Sequence, residues 1–332
     1  MTAAATPPAI ALEALVKEYP GGTRAVRGIS MEILEGEFFG LLGPNGAGKT
    51  TSIHMLTGLS EPTSGEVRIQ GVSMASRPLE AKSRLGFVPQ EFAFYPSLSA
   101  LDNLRFFGSL YGLRGERLER RVREALEISA LGRRSRGPVS TFSNGMMRRL
   151  NVAVGLVHEP RVLILDEPTV GVDAQNRRAL HETLERLNRQ GVTVLYTTHQ
   201  MEEAQRLCRR VAIMDRGRIL HADTPEALVR RFGEGLVRVE LKSPLPTEAR
   251  ERLARLDSVQ GLDGSGRIWH LKAREPERAV QDVLALAGVR EAGVLGLNIL
   301  EPNLESVFIH VTGRRLRDPG EGAPAPLAEE NG

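Results

Sequence analysis

The sequence predicts an α/β fold followed by a smaller α+β domain, on the basis of three observations. Residues 9–225 alternate short apolar strand patterns with helical patterns, an alternation that is typical of α/β proteins. The continuous apolar run at 161–166 is of the kind found in a central parallel strand, which is buried on both faces. After residue 232, alternating strand patterns are separated by helical stretches. A chain of 332 residues also favours two domains.

The composition excludes several classes of protein. No apolar run approaches the ~20 residues that span a bilayer, and the first residues lack the basic region and apolar core of a signal peptide. Cys208 is the single cysteine, which excludes an internal disulfide framework and favours a reducing cytosol. We expect Cys208 to be a packing residue rather than a nucleophile. The net charge of +3 is too small to indicate nucleic acid, and no nucleic-acid partner is expected.

The first domain, 9–225, follows a flexible tail at 1–8. Its predicted elements are strands at 10–17, 29–34 and 38–42, a helix at 52–56, strands at 66–69 and 85–90, a helical region at 99–131, a strand at 161–166, a helix at 174–190, a strand at 192–196, a helix at 201–208 and a strand at 211–214. The helical stretch forms an insert at about 92–150, because its apolar residues recur at helical spacing.

The second domain, 235–312, has the patterns of a small α+β unit. Its predicted elements are strands at 237–241, 267–271 and 294–299, helices at 247–256 and 275–287, and a final helix at 304–311 with an apolar stripe. Residues 313–332 are expected to be largely disordered because they become rich in proline, glycine, alanine and glutamate. The role of this domain is open, with dimer stabilisation or regulation as candidates.

A glycine-rich loop between a predicted strand and a predicted helix indicates a phosphate site. The loop consists of Gly43, Pro44, Asn45, Gly46, Ala47, Gly48, Lys49, Thr50 and Thr51. The glycines allow close approach to an anion and positive φ, and the N–H groups of the loop and helix point at phosphates. Lys49 would neutralise the β- and γ-phosphates, and Thr50 would bind Mg²⁺. A glycine-rich surface turn is the alternative, but the full spacing and flanking elements favour a nucleoside triphosphate site.

Two adjacent carboxylates follow the central strand. Asp166, at the end of that buried strand, can hold Mg²⁺ beside the phosphate loop. Glu167 is then placed to polarise an attacking water. The two acids could instead cap the following helix, since Pro168 sets a turn there, but the phosphate loop upstream favours the magnesium site.

Three further features have simple structural interpretations when taken alone. Ser143 or Asn144, in the stretch FSNGM, could be the N-cap of an apolar helix. His199 follows a predicted strand, where a lone histidine is more often structural. Gln90 lies between the sheet and the helical insert, where a surface glutamine is ordinary.

Taken in order, these five features resemble the ATP-binding subunit of ATP-binding-cassette (ABC) transporters over about residues 9–225. GPNGAGKTT is similar to the family's phosphate loop, and VLILDE to its magnesium strand with the catalytic glutamate. Gln90 resembles the loop glutamine and His199 the switch histidine. FSNGM is a variant of the signature LSGGQ, in which Ser143 and Gly145 match and the other three positions depart. The resemblance implies a P-loop NTPase core with an antiparallel β subdomain and a helical insert.

Weaker similarities extend the resemblance. Asp173 matches the end of the family's dimer-contact loop, although the rest of PTVGVD departs from the usual form. Tyr19 stands where the family places an aromatic residue that stacks on adenine, with a plain surface tyrosine as the alternative. The stretch from Asn303 to Leu316 resembles the tail of daunorubicin-resistance-type exporter ATPases, which implies a bacterial exporter of drugs or other small molecules.

The resemblance also implies a mechanism. Two subunits would form a homodimer that encloses two ATP molecules, each between the phosphate loop of one subunit and residues 143–145 of the other. Lys49 would neutralise charge, Glu167 would polarise water and His199 would contact the γ-phosphate. Thr50, Gln90 and Asp166 would coordinate Mg²⁺. Hydrolysis of ATP to ADP and phosphate would then loosen the interface and drive transport.

A transporter subunit without a membrane segment requires a separate transmembrane permease. We therefore expect a cytoplasmic protein bound peripherally to the inner face of the cell membrane. We expect Phe92, Phe94 and Tyr95 to be exposed, as candidates for a groove that receives a permease helix, with packing inside the helical insert as the alternative. The competing functions are a soluble ABC-type ATPase in DNA repair or translation and a binding-only regulatory module.

Overall fold

The computed structural model describes residues 7–232, 235–273, 275–300 and 302–312. The chain divides into two compact units, one ending at Arg231 and one beginning at Phe232. Most of the tail predicted at 1–8, and all of the tail predicted at 313–332, lie outside the described residues. Among the helices that are described, none combines the length and hydrophobicity of a membrane crossing.

The first unit contains both strands and helices. In chain order, the elements up to Phe232 are β1 (Ile10–Glu18), β2 (Arg24–Ile33), β3 (Phe38–Leu42), α1 (Lys49–Leu56), β4 (Ser64–Ile69), β5 (Val72–Ser73), α2 (Pro78–Ser83), β6 (Leu85–Val88), α3 (Ala100–Leu110), α4 (Gly115–Ile128), α5 (Asn144–Leu156), β7 (Val162–Asp166), α6 (Ala174–Arg189), β8 (Thr193–Thr198), α7 (Met201–Leu207), β9 (Arg210–Asp215), β10 (Arg218–Asp223) and α8 (Pro225–Phe232).

These strands form two sheets. The larger sheet has the order β10-β9-β3-β8-β7-β6, in which β10 pairs antiparallel with β9 and the other pairs are parallel. The smaller sheet, β2-β1-β4-β5, is antiparallel. One hydrophobic core joins both sheets to α1. The predicted α/β core with an antiparallel β subdomain is therefore confirmed, and the carboxyl ends of β3, β7 and β8 meet at one edge of the larger sheet.

The helical insert lies between β6 and β7 and has its own core. Leu104 of α3, Val122 of α4 and Leu150 of α5 are fully buried together. The spacing of apolar residues along α4 gives it one apolar face, which packs on α3 and α5. The predicted insert is confirmed as a helical layer with α5 as its last element.

Cys208 lies directly after α7 and packs against β3. A Cβ atom added to Gly40 would lie 2.9 Å from the Cys208 sulfur, so the thiol occupies the space that the glycine leaves. Burial raises the pKa of this thiol. Cys208 is thus a packing residue, as the sequence predicts.

The second unit is a four-stranded antiparallel sheet with helices. Its elements are β11 (Gly235–Leu241), α9 (Thr247–Ala254), β12 (Gly261–Ser265), β13 (Ile268–Ala273), α10 (Pro276–Ala285), α11 (Ala287–Ala292), β14 (Val294–Leu300) and α12 (Leu304–Thr312). The strand order β12-β13-β11-β14, with a helix after β11 and another after β13, is the ferredoxin-like arrangement. Its core places Trp269 and Leu271 of the sheet against Leu253 and Val283 of the helices.

Several elements differ from the sequence prediction, and three of the differences have a clear physical cause. β10 forms a hairpin with β9 across a turn in which Arg216 and Gly217 both have positive φ; the sequence indicates the turn but not the half-exposed strand after it. β12 was not predicted because two of its five residues are glycine. The helix predicted at 275–287 is two helices, since Leu286 is extended between them.

Candidate functional site

The glycine loop connects the carboxyl end of β3 to the first residue of α1. Gly46 and Gly48 have φ of 78° and 105°, a left-handed conformation that favours glycine. Gly43 is required for a different reason, because a Cβ there would lie 2.3 Å from the carbonyl oxygen of Met214. Positive φ was expected at all three glycines, and that expectation is wrong for Gly43. The loop thus lies tightly against the neighbouring strand β9.

Lys49 points back along this loop and is 4% exposed. Its Nζ atom donates hydrogen bonds to the carbonyl oxygens of Gly43 and Pro44, at 2.7 and 3.2 Å. The same atom lies 3.2 Å from Oε1 of Glu167. The lysine therefore has a buried carboxylate as its counter-charge.

The acidic pair lies at the end of β7, next to β8. Thr197 of β8 donates its hydroxyl to Asp166 at 2.7 Å and accepts the backbone N–H of Glu167 at 2.9 Å. Glu167 has a φ of 46°, an uncommon conformation for a residue other than glycine. Thr197 was not predicted as a site residue. The signal that the sequence offers for Thr197 is a hydroxyl side chain at the end of a buried strand, next to the strand that ends in Asp166.

His199 follows β8 and reaches the other oxygen of the same carboxylate. Its Nδ1 atom lies 3.2 Å from Oε2 of Glu167. This hydrogen bond raises the pKa of His199. Burial alone would raise the pKa of Glu167, but the His199 bond and the Lys49 charge outweigh it, so that pKa lies below its usual value. Lys49, Glu167 and His199, which follow β3, β7 and β8 in the chain, form one continuous line of ionisable side chains.

The predicted signature residues lie at the beginning of α5. Ser143 is the N-cap and accepts the N–H of Met146 at 3.3 Å. Gly145 is buried, and a Cβ there would lie 2.3 Å from the side chain of Asn176. Asp173 caps α6 and accepts the N–H of Asn176 at 2.9 Å. The beginnings of these two helices therefore touch through Asn176.

This second group is separate from the line formed by Lys49, Glu167 and His199. Within the described ranges, no hydrogen bond or ion pair joins Ser143, Gly145 or Asp173 to Lys49, Glu167 or His199. One chain thus presents two distinct groups of predicted site residues.

Gln90 and Tyr19 lie at the surface. The side chain of Gln90 is exposed, and its carbonyl oxygen accepts a hydrogen bond from Arg148 at 2.8 Å. Tyr19 is 40% exposed, and Lys17 Nζ lies 5.3 Å from its ring centroid. Both side chains are accessible to a ligand.

The aromatic group after Gln90 is divided between surface and core. Phe94 is buried in the core of the helical insert, so the expectation that it is exposed is wrong. Phe92 stacks on Phe94 with ring centroids 5.4 Å apart but is itself 39% exposed. Tyr95 is 48% exposed and touches Phe106 edge-on. Of these three aromatic residues, Phe92 and Tyr95 present surface to a partner and Phe94 does not.

The residues predicted to bind Mg²⁺ are chemically suited to it. Thr50, Gln90 and Asp166 offer hydroxyl, amide and carboxylate oxygens, the hard ligands that this ion prefers. Asp166 is buried. Its Oδ1 accepts the Thr197 hydroxyl, while among the described residues its Oδ2 has no hydrogen-bond partner and is left for a metal.

The parallel sheet, the glycine loop with its buried lysine and the acidic strand end define a P-loop nucleoside triphosphatase. The family model described as "ABC transporter" matches residues 26–170. The linearmycin resistance ATP-binding protein of Bacillus subtilis is 40% identical over 307 residues, covering 91% of this chain and 98% of that protein. Nod factor export ATP-binding protein I of Burkholderia lata is 37% identical, covering 90% and 95%.

Solved structures agree with these relatives. The structure of an ATP-binding subunit of an ABC transporter matches with a TM-score of 0.62 and 29% identity, over 67% of this chain and 92% of that one. A dimeric ATP-binding cassette bound to ADP and Pi in a post-hydrolysis state matches with a TM-score of 0.60 and 27% identity, over 65% and 98%. The chain belongs to the ABC transporter family and is the ATP-binding and ATP-hydrolysing subunit of such a transporter. The family prediction is confirmed, and a role in DNA repair or translation is not favoured.

Proposed function

We propose that this chain powers the export of antibiotics or other small molecules. It would act as a homodimer bound to a separate transmembrane permease, on the inner face of the cell membrane. The support is the similarity, over about nine tenths of the chain, to relatives named for linearmycin resistance and Nod factor export. The first unit would contain the nucleotide-binding domain, 9–225, and the second an accessory domain, 235–312.

The observation that carries the proposed chemistry is the position of Glu167 between Lys49 and His199, 3.2 Å from each. The carboxylate neutralises the lysine. The γ-phosphate of ATP offers Lys49 a competing anion, so binding would release Glu167 to accept a hydrogen bond from the attacking water. The lowered pKa keeps Glu167 ionised and ready for that task. His199 would then contact the γ-phosphate.

Thr50, Gln90 and Asp166 would hold Mg²⁺. When bound, the ion would neutralise charge that develops on the phosphate oxygens. The backbone N–H groups of residues 43–51 would surround the phosphates, and Tyr19 would stack on the adenine.

The second group of residues would complete the site of another copy. The beginning of α5 is exposed at Ser143, and its free N–H groups attract an anion. The ATP held by the loop of one copy would therefore be closed by residues 143–145 of its partner. Asp173, at the beginning of the neighbouring helix, would lie in the same interface.

A substitution that preserves the helix cap tests this arrangement. Aspartate caps a helix as well as serine does, but its charge would repel the γ-phosphate of the partner's ATP. In a Glu167→Gln background, light scattering with Mg²⁺ and ATP should show a dimer, and Ser143→Asp should leave a monomer that still binds ATP. Ser140→Asp, at an exposed position just before this cap, is the control. A Ser143→Asp protein that dimerises normally would exclude the sandwich.

A second experiment tests the transporter. The tagged chain, expressed in its native host, should co-purify from membranes with a multi-spanning membrane protein. Compounds that the complex exports should then stimulate ATP hydrolysis. A chain that remains without a membrane partner would contradict the export function.

A further inference from the structure

A buried carboxylate on α7 lies behind the site and has no role in the proposed chemistry. Glu203 is 6% exposed. Its Oε2 atom accepts hydrogen bonds from three hydroxyl groups, those of Tyr196 at 2.8 Å, Thr169 at 3.0 Å and Thr198 at 3.2 Å. Because one oxygen of Glu203 accepts three side-chain hydroxyls, Glu203 fixes the orientation of all three side chains.

The three hydroxyls belong to the two segments that carry the catalytic candidates. Thr169 lies two residues after Glu167, at the start of the segment that leads to Asp173. Thr198 is the last residue of β8 and directly precedes His199. Glu203 therefore connects the chain on both sides of the contact between Glu167 and His199.

Arg177 of α6 forms a second connection between the same segments. It donates to the carbonyl oxygen of Val172 at 3.2 Å and to the side chain of Gln200, directly after His199, at 3.0 Å. Its Nε atom lies 3.7 Å from Oε1 of Glu203. We call Glu203 and Arg177 together the Glu203–Arg177 clasp.

The carboxylate of the clasp is held in its ionised form. Burial alone would raise the pKa of Glu203, but the contact with His181, whose Nε2 lies 3.5 Å from Oε1, and the hydrogen bond from Tyr196 outweigh it, so the pKa lies below its usual value. Hydrogen bonds to an ionised acceptor are stronger than neutral ones, and in a buried network they reinforce one another. The clasp therefore fixes the two segments more firmly than backbone contacts alone.

We propose that Glu203 is a positioning residue for ATP hydrolysis, which holds Glu167 and His199 in register through Thr169 and Thr198. The inference rests on the proposed roles of Glu167 and His199. It predicts a loss of turnover without a loss of nucleotide binding, because none of the hydrogen bonds of Glu203 reaches the phosphate loop in the described chain.

The test is Glu203→Gln in the full-length chain, which keeps the shape of the side chain and removes its charge. We expect kcat to fall about 10- to 100-fold, as when residues that orient the ligands of a metal site are changed. The Kd for ATP, measured by calorimetry, should stay within about twofold. Glu202→Gln changes the exposed neighbour on the same helix and should leave both quantities unchanged.

A second pair of variants covers the case in which Glu203→Gln does not fold. Thr169→Ser keeps the hydroxyl that reaches Glu203, and Thr169→Val keeps the shape without it. Turnover should survive in the serine variant and fall in the valine variant. Equal kcat values in this pair, or unchanged kcat in Glu203→Gln, would overturn the proposal, as would a parallel loss of ATP binding.

Glu167→Gln separates failure of this inference from failure of the proposed function. If that variant hydrolyses ATP normally, the proposed role of Glu167 is wrong, whatever Glu203 does. If it is inactive while Glu203→Gln is fully active, only the positioning role is wrong.

Discussion

Replacing Glu167 by glutamine should lower the stability of the protein measured without nucleotide, in addition to slowing hydrolysis. The substitution removes the charge that lies 3.2 Å from Lys49, where both side chains are less than one tenth exposed. Lys49 keeps its two carbonyl partners, so the loss is that of one charged hydrogen bond rather than of all neutralisation. Such a bond contributes about 1.5–3 kcal/mol. We therefore expect the free energy of unfolding to fall by about 2 kcal/mol.

ATP should reverse this loss, because its phosphates supply the missing negative charge. If binding restores the full difference, the affinity for ATP rises by up to about 30-fold, since 1.4 kcal/mol corresponds to a factor of ten. Hydrolysis should meanwhile fall at least about 100-fold, as expected for loss of a general base. The variant would thus be less stable when empty and would bind its substrate more tightly.

Thermal unfolding and calorimetry measure these effects. Without nucleotide, the Tm of Glu167→Gln should lie about 4–8 °C below that of the unaltered chain, for a unit of this size. Saturating ATP with Mg²⁺ should make the two Tm values equal. Glu182→Gln is the matched control, because it breaks an exposed ion pair with Arg178 and should leave Tm unchanged. An unchanged Tm in empty Glu167→Gln, or weaker ATP binding, would refute the inference that Glu167 neutralises Lys49.

Two further predictions follow from the same structure. His199 has a raised pKa, so its contribution to the stability of the empty protein is complete below about pH 6.5 and is lost as pH rises through the folded-state pKa. Glu167 has a lowered pKa, so its contribution is present above about pH 4.5 and is lost as pH falls through the folded-state pKa. Because His199→Gln removes the histidine, the decline of Tm toward higher pH should be flatter in that variant. An identical profile of Tm against pH in the two proteins would contradict the contact between His199 and Glu167. Phe94→Ala should lower the free energy of unfolding by about 3–4 kcal/mol in chemical denaturation because Phe94 is a core residue. Tyr95→Ala should change stability little and weaken permease binding, because its side chain is exposed. Equal losses of stability in the two variants would contradict this assignment of Phe94 to the core and Tyr95 to the surface.

The sequence predicted the parts of the site that depend on local spacing. The glycine loop, the strand that ends in Asp166 and the position of His199 after β8 all follow from patterns within a few residues. The contact between Glu167 and Lys49 could not be predicted, because it joins residues 118 positions apart and requires the left-handed backbone at Glu167. The burial of Phe94 depended in the same way on how α3 and α5 close the insert.

Residues outside the motifs were harder to identify. Glu203 and Glu202 are adjacent and chemically identical, yet only Glu203 faces the hydroxyls of Thr169 and Tyr196. Helical spacing alone could not assign the inward position, since α7 has only seven residues. The missed strand β12 shows the opposite limit, because its pairing with β13 outweighs the poor strand propensity of its glycines.

The packing of Cys208 against Gly40 gives this protein a built-in reporter of unfolding. The chain has one thiol, and it is buried beside the central strand β3 with a raised pKa. Because alkylating reagents attack the exposed thiolate, labelling in native conditions should proceed only when the central sheet opens. The rate of modification by a maleimide, with and without ATP, would therefore report how much the nucleotide stabilises the sheet, with no dye or label added in advance.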